Sequence, residues 1–288
     1  MTALVGIVLV VVMVFGGYLL AGGKLAIILK ALPFEFMMIA GAAAGAFALA
    51  NDGAAIRHTL RDLTRVASGP RWRPGDYRDL LCLLFALIRV SRSNPVALEQ
   101  HVEQPASSPL FGRYPRILAD AEAVGLICDT LRAGSMNYDD PHQVEAVLEA
   151  RREAHRQHAL HSAHALQSVA DALPALGIVA AVLGVIKTMS SIDQPPEVLG
   201  KMIGGALVGT FLGVFLAYGF VGPVAARLRH LAEEDGHFYD LIRQVLVANL
   251  HAHPPQLCIE AGRQAMPGRL RPGFGDLEES LRSAREAA

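Results

Sequence analysis

Two long apolar runs, joined by one short polar loop, constrain this sequence more than any other feature. They cover residues 174–189 and 202–221. A helix needs about 20 mostly apolar residues to cross the roughly 30 Å hydrocarbon core of a bilayer. We therefore predict a transmembrane hairpin over residues 171–223, with spans at about 173–192 and about 201–222.

The second run carries a small residue at every fourth position. Gly205, Gly209, Gly213 and Ala217 form one bare stripe along a helix. Lipid supplies no hydrophobic force between helices, so small residues at this spacing allow backbones to approach closely. Two interpretations stay open: the two spans pack on each other, or the stripe contacts another chain. Thr210 lies beside the stripe, where its hydroxyl either lines a water path or bonds its own backbone.

Composition indicates a protein that is part membrane and part aqueous. Of its 288 residues, 52% are hydrophobic and 18% are charged. A net charge of −1 gives no sign of a nucleic-acid-binding surface. Cys82, Cys128 and Cys258 are far apart and form no CxxC pair, which favours reduced thiols over a disulfide framework or a zinc ribbon.

The N-terminal 50 residues predict a first hairpin. Its spans are expected at about 2–21 and about 33–50, with Pro33 opening the second. No charged segment precedes the first span and a second apolar run follows it, so we interpret it as a mature span rather than a signal peptide. Glu35 is expected near the outer end of the second span, where a carboxylate reaches the headgroups.

The remaining segments predict helices in water. Residues 51–170 form a helical domain with no alternating strand pattern. Residues 224–288 form a C-terminal helix and, beyond Gly268, a loose tail with one weak helix from Asp276 to Ala287. Every arginine lies in these segments, so the positive-inside rule places them, and both termini, in the cytoplasm. The expected fold is all-α: a polytopic membrane protein with four transmembrane helices and a helical cytoplasmic domain. Residues 76–90 are too short and too charged for a fifth span and predict a buried helix.

The predicted spans contain no Asp, His or Arg. With Glu35 and Lys187 expected at span ends, no titratable group is expected at depth. If the protein moves ions, another polypeptide must supply the group that binds and releases them. The sequence shows no phosphate-binding glycine loop and no nucleophile elbow, so we expect neither an enzyme nor a cofactor.

One row of histidines stands out. Its members recur every third position: His155, His158, His161 and His164. Successive positions three apart drift around a helix, so all four cannot converge on one ion. We interpret the row as a solvated face rather than a metal site, with a membrane metalloenzyme as the rival hypothesis. His251 and His253 give a weaker signal.

Charged residues flank a turn between two predicted helices. Arg89, Arg92 and Glu99 surround Asn94-Pro95. Such a turn presents its charges outward, either as a solvated loop or as an electrostatic docking point for a charged partner.

Four segments resemble the MotA family of flagellar stator subunits, and the match covers nearly the whole chain. They are VFGGYLLAGG at 14–23, YPRILAD at 114–120, LPALGIVAAVLGV at 173–185 and LVGTFLGVFLAYGFVGPVA at 207–225. The resemblance implies a ring of five such subunits around two copies of MotB, a single-span protein with a transmembrane aspartate. Proton passage through that aspartate would rotate the ring and turn the rotor protein FliG.

The resemblance also implies roles for single residues. Thr210 matches the pore-lining threonine of the family, and Pro174 and Pro223 match its two functional prolines. Sodium-driven relatives carry a threonine near the position of Ala181; because alanine offers no hydroxyl to a bare cation, we expect protons here.

Arg92 and Glu99, with Arg89 beside them, match the charges that engage FliG. The alternative within the wider family is an energy transducer of the ExbB/TolQ type. Those relatives usually have three spans, so the first hairpin decides between the two.

Overall fold

The computed structural model describes residues 2–135 and 140–286, and no β-strand occurs among them. The prediction of an all-α fold is confirmed. The helices, in chain order, are α1 (Thr2–Leu20), α2 (Leu25–Ala50), α3 (Gly53–Leu63), α4 (Arg65–Ser68), α5 (Pro74–Ser93), α6 (Pro95–Glu103), α7 (Pro109–Gly112), α8 (Pro115–Leu118), α9 (Ala121–Ser135), α10 (Pro141–Met189), α11 (Pro196–Leu216), α12 (Gly222–Leu250), α13 (Pro255–Ala265) and α14 (Phe274–Glu286). A 3-10 turn covers Pro105–Ser107, and a π-turn covers Ala217–Val221.

The chain divides into two compact units. We call the first the membrane unit; it contains the chain up to Gly69 together with Ala159–Leu231. The second, the helical unit, contains Pro70–His158 and Ala232–Ala288. Helices α10 and α12 each contribute one part to each unit.

Three helices in the described part of the chain are long and apolar enough to cross a membrane. They are Leu25–Ala50, Pro141–Met189 and the helical stretch Pro196–Leu250. A shorter apolar helix covers Val5–Leu20. All four predicted spans therefore fall on apolar helices, and the count of four stays a prediction.

Two expected helix boundaries are wrong, and both involve proline. α2 begins at Leu25, so Pro33 lies inside the helix rather than at its start. α10 runs without a break through Pro174, where the sequence predicted the end of one helix and the start of a span. A proline removes one backbone hydrogen bond and kinks a helix, but in an apolar span the flanking turns retain their own bonds and the helix continues.

The helical unit is built around α5, as the sequence predicted, although the helix is longer than residues 76–90. Residues 80–88 of α5 are all buried. Phe238 of α12 is fully buried and stacks on Trp72 with ring centroids 3.8 Å apart, while its edge meets Tyr77 at 5.4 Å. Aromatic pairs of this kind add about 0.5–1.5 kcal/mol beyond the area they bury.

The YPRILAD segment joins the start of α9 to the rest of the helical unit through Asp120, which is buried. Its Oδ1 accepts the backbone N–H of Ala123 at 2.7 Å, and so caps α9. Its Oδ2 lies 2.5 Å from Arg71 Nη1 and accepts from the Tyr239 hydroxyl at 3.2 Å. The motif thus has a structural use that its sequence alone does not reveal.

The tail is not loose, which corrects the expectation for residues beyond Gly268. α14 packs on α5, and Leu277 is buried in the core of the helical unit. The sequence predicted a weak helix to Ala287, which lies outside the described residues. The error arose because the apolar residues of α14 are few and their packing partners are distant in sequence.

Phe238→Ala should destabilise the helical unit by about 3–5 kcal/mol, because it removes a buried ring from between two others. The measurement is the denaturation midpoint of the detergent-solubilised chain. Unfolding is monitored by the fluorescence of Trp72, the only tryptophan of the chain. Leu257→Ala is the control, since that side chain is 49% exposed. Equal midpoints for the two variants would contradict the packing described here.

Candidate functional site

The small-residue stripe on α11 packs against α10 of the same chain at Gly209 and Gly213, and lies near Ala31 of α2 at Gly205. A Cβ placed on Gly213 would lie 2.6 Å from the carbonyl oxygen of Leu173 and 2.8 Å from Cα of Gly177. A Cβ on Gly177 would lie 2.8 Å from the carbonyl oxygen of Gly209. Real side chains do not tolerate such distances to backbone atoms, so the two helices meet backbone to backbone. Of the two interpretations left open by the sequence, these contacts favour packing within one hairpin.

Three helices converge one turn further along the stripe, at Gly209. A Cβ there would lie 2.6 Å from Oε2 of Glu35 on α2, and 3.1 Å and 3.2 Å from Ala181 N and Ala180 Cβ on α10. The next residue, Thr210, is partly exposed, as is Ala181. The two predicted ion-path residues therefore lie on neighbouring helices at the same crossing.

Glu35 is buried at this crossing, and the expectation that it reaches the headgroups from a span end is wrong. Its side chain is 6% exposed, and Oε2 is buried without a hydrogen-bond partner among the described residues. Because α2 begins at Leu25, Glu35 lies about three turns inside the helix. Sequence reasoning missed this acid by starting the span at Pro33; the signal was a lone carboxylate inside a continuous apolar run.

Glu35 also lines a cavity of about 770 Å³ between α2, α10 and α11. The cavity brings together the only lysines of the chain: Lys24, Lys30, Lys187 and Lys201. Lys201 pairs with Glu197 at 2.9 Å on α11. The cavity thus carries a cationic lining with one carboxylate at its wall, which the sequence showed only as lysines lying close to the hairpins.

Both prolines disturb the hydrogen bonding of their helices without ending them. Pro223 has no N–H to donate to the carbonyl four residues earlier, and the chain forms the π-turn there, with the Gly222 N–H donating to the Ala217 carbonyl. Pro174 leaves the carbonyl of Ala170 without its helical donor in the same way. A Cβ on Gly222 would lie 3.9 Å from Ala170 Cβ, so the disturbed turns face each other. Pro174 therefore does not begin a helix, and Pro223 does not stop one.

The charged turn of the helical unit does more than display its charges outward. Arg92 is exposed, yet its Nη2 donates to Asn249 Oδ1 at 3.0 Å and to the carbonyl oxygen of His253. Arg89 is half-buried, with its guanidinium 5.9 Å from the ring centroid of Phe85. Arg92 therefore anchors the turn after α12, as well as carrying charge.

Glu99 does point outward, as predicted. It is exposed on α6 and lines a shallow surface groove with Val96 and His101. Asn94 caps the same helix by accepting the N–H of Ala97 at 3.2 Å, which fixes the turn that carries Glu99.

The histidine row does not form a site. His155 is half-buried against the ring of Tyr239, at 4.3 Å between centroids, and burial lowers the pKa of His155. His158, His161 and His164 are exposed. Along α10 these side chains turn through different surroundings, in keeping with the predicted drift.

These features define a class of protein: an α-helical multi-pass membrane subunit with a hairpin closed by glycines and a separate helical unit. Residues 4–95 match the family described as Motility protein A N-terminal, and residues 123–239 match the MotA/TolQ/ExbB proton channel family. The chain is 39% identical to motility protein A of Escherichia coli over 99% of this chain and 96% of that protein. It is 34% identical to the chemotaxis protein LafT of Vibrio parahaemolyticus over 98% of both.

The chain therefore belongs to the motility protein A family of flagellar stator subunits, and is a multi-pass protein of the inner membrane. The resemblance seen in the sequence is confirmed.

Solved MotAB structures have the same fold. The C. jejuni structure matches with a TM-score of 0.69 over 93% of this chain and 96% of that chain, at 19% identity. The Bacillus subtilis stator complex matches with a TM-score of 0.70 over 94% and 98%, at 19% identity.

Gly213→Ala should destabilise the hairpin, although alanine is ordinarily about 0.8–1.0 kcal/mol better than glycine inside a helix. The added methyl would collide with the Leu173 carbonyl oxygen at 2.6 Å, so α10 and α11 must separate. Gly200→Ala is the matched control on the same helix, because nothing lies within 4 Å of its added Cβ. We expect a lower melting temperature and lower membrane yield for the first variant only; matching behaviour of both would exclude the close contact.

Proposed function

We propose that this chain is the torque-generating shell of a proton-driven flagellar stator, assembled around a MotB-like single-span protein. The observation that carries the proposal is the convergence at Gly209, where α2, α10 and α11 bring Thr210 and Ala181 to one crossing. Full-length similarity to motility protein A and the fold of the MotAB structures support it.

In this proposal the partner supplies the aspartate that binds the proton. Thr210 contributes a hydroxyl that solvates the path beside that aspartate. Ala181 has no hydroxyl with which to replace the hydration shell of a sodium ion, which favours protons as the coupling ion. The exposed apolar side chains on the outer surface of α1 and α10, such as Val12, Met13 and Ile186, suit lipid or neighbouring subunits.

Pro174 and Pro223 are proposed to convert proton binding into helix movement. Each proline removes one backbone hydrogen bond of its helix, so the turn around it bends at a lower energetic cost than a turn of an intact helix. The π-turn beside Pro223 is a local irregularity of the kind that recurs at functional sites. A bend at one of the two turns would be transmitted to the other, since Ala170 and Gly222 face each other between them.

The rotor-facing surface is proposed to lie on the helical unit. Glu99 supplies an exposed negative charge and Arg92 an exposed positive charge that engage charged residues of the rotor protein FliG. Arg89 contributes through its position under that surface rather than by direct contact, because it lies half-buried over Phe85. The helical unit and both termini are proposed to face the cytoplasm, which the arginine distribution favours. Five copies are proposed to form the shell.

An ExbB/TolQ-type transducer is the second candidate within the wider family. The first hairpin argues against it, because α1 and α2 are both present and residues 4–95 match the family specific to motility protein A. A metalloenzyme built on the histidine row has no converging ligands to support it.

Proton flux in vesicles tests the proposal most directly. The chain alone should conduct essentially no protons, whereas the chain with its single-span partner should conduct. Replacing the partner's transmembrane aspartate by asparagine should abolish that flux. A gradient-driven current from the chain alone would overturn the division of labour, and its loss in Glu35→Gln would assign the current to the chain's own buried carboxylate.

Charge reversal separates rotor contact from folding. Glu99→Lys should impair swimming while leaving the melting temperature unchanged. The Glu99 side chain is exposed on α6 and forms no bond to the turn before or after that helix. Arg92→Glu should impair swimming and also lower the melting temperature, because it removes one bond to Asn249 at the end of α12 and one to the His253 carbonyl in the turn after it. Reversing a partner charge on FliG should restore swimming in the Glu99 variant. Normal motility of Glu99→Lys would contradict the proposed surface.

A further inference from the structure

The start of α10 and the turn after α12 bring two histidines and a carboxylate together in the helical unit. Oε2 of Glu145 lies 3.9 Å from Nδ1 of His142 and 3.6 Å from Nε2 of His251. All three ligand atoms lie within 4.8 Å of one another. Within residues 2–135 and 140–286, this is the only convergence of three or more such side chains.

Both histidines are positioned by backbone geometry at helix ends. The carboxylate Oδ1 of Asp140 accepts the N–H of His142 at 2.9 Å and so fixes the first turn of α10. At the other end, Ala252 adopts a left-handed conformation with φ of 58°, which turns the chain back after α12.

The turn after α12 is closed by backbone hydrogen bonds. The N–H of His251 donates to the Val247 carbonyl at 3.1 Å, and that of His253 to the Ala248 carbonyl at 3.2 Å. The His142 and His251 rings therefore meet edge to face, with centroids 5.2 Å apart.

The donor set and its spacing suit a transition metal. Zn²⁺ binds histidine nitrogen and carboxylate oxygen at about 2.0–2.2 Å with tetrahedral geometry, which puts ligand atoms about 3.3–3.5 Å apart. The distances of 3.6 Å and 3.9 Å exceed this by an amount that small side-chain rotations remove. Two imidazoles and one carboxylate are typical of Zn²⁺, and the 78% exposure of His142 leaves water free to complete the coordination.

A neighbouring arginine lies within ion-pair distance of the carboxylate. Arg243 Nη1 lies 3.9 Å from Oε1 of Glu145, while its Nε lies 3.4 Å from Glu149. The arginine contact is with Oε1, so Oε2 stays available to the two histidines. The positive charge of the arginine also opposes a cation, which lowers the affinity of the site.

We propose that His142, Glu145 and His251 bind one divalent transition-metal ion, with Zn²⁺ the best match to the ligands. The bound ion would tie the start of α10 to the turn after α12. The same turn presents the His253 carbonyl that accepts from Arg92. The site stands on its own geometry and does not depend on the proposed function of the chain.

Titration of the full-length chain with Zn²⁺ tests the site. The protein is purified in detergent with a tag that contains no histidine, and binding is followed by calorimetry. We expect saturable binding of one ion per chain, and a loss of affinity of at least tenfold in His142→Ala, Glu145→Gln and His251→Ala. His161→Ala and His164→Ala are the matched controls, because these exposed histidines of the row lie outside the cluster and should bind as the wild type does.

Co²⁺ added to the wild-type chain supplies a readout that does not rely on variants. Coordination by the cluster should give visible absorption bands of a low-coordinate nitrogen and oxygen site, and excess Zn²⁺ should abolish them. The proposal is overturned if no one-to-one binding occurs, if the double variant His142→Ala/His251→Ala binds as the wild type does, or if the row variants lose affinity equally. Unchanged circular dichroism confirms that each variant is folded.

Discussion

The backbone contact between Gly177 and Gly213 is the constraint on which the arrangement of the membrane unit depends. Lipid gives helices no hydrophobic reason to associate, so close van der Waals packing must hold α10 against α11. Only residues without a side chain allow it, since a Cβ on Gly213 would lie 2.6 Å from the Leu173 carbonyl oxygen. The contact sets the register of the two helices, and the register in turn puts Ala181 beside Gly209 and Ala170 opposite Gly222. The position of the proposed ion path, and the placement of the two proline turns opposite each other, both depend on this close approach.

Patterns among neighbouring residues in the sequence predicted the features that depend on those residues alone. Apolar run lengths predicted the four apolar helices, and the four-residue spacing of small residues predicted a contact face on α11. Proline was misjudged at 33 and 174 because a local rule ends a helix at proline, whereas its penalty of about 3 kcal/mol or more is outweighed by the many intact turns on either side of it. The tail was misjudged for a related reason: Leu277 looks unremarkable until its packing against α5 is known.

The parts of the candidate sites that sequence did not reveal all depend on residues far apart in the chain. Arg92 is exposed, as expected, but its bond to Asn249, which is 157 positions away, could not be predicted from the turn itself. The convergence of His142 with His251 likewise requires a turn at Ala252 whose left-handed backbone no local propensity favours in alanine. The histidine row is the more visible motif in the sequence, but its members do not converge. His142 and His251 are far apart in the sequence and lie close together in the structure. Spacing along one helix can rule out convergence, as it did for the row, but it cannot disclose a ligand supplied by another helix.

Glu35 changes how the membrane unit is to be understood. A membrane unit without buried acidic side chains would leave all proton binding to a partner. This unit instead holds a carboxylate whose Oε2 is buried and has no hydrogen-bond partner among the described residues. Leaving a buried acceptor without a donor costs about 1–3 kcal/mol, and more if it is charged. That oxygen lies where a side chain on Gly209 would have to be, so the stripe that closes the hairpin is also what makes room for the acid. Any residue larger than glycine at 209 would push on α10 and on Glu35 together. Helix packing and the placement of this carboxylate are therefore one constraint, and a change in either is transmitted to the other.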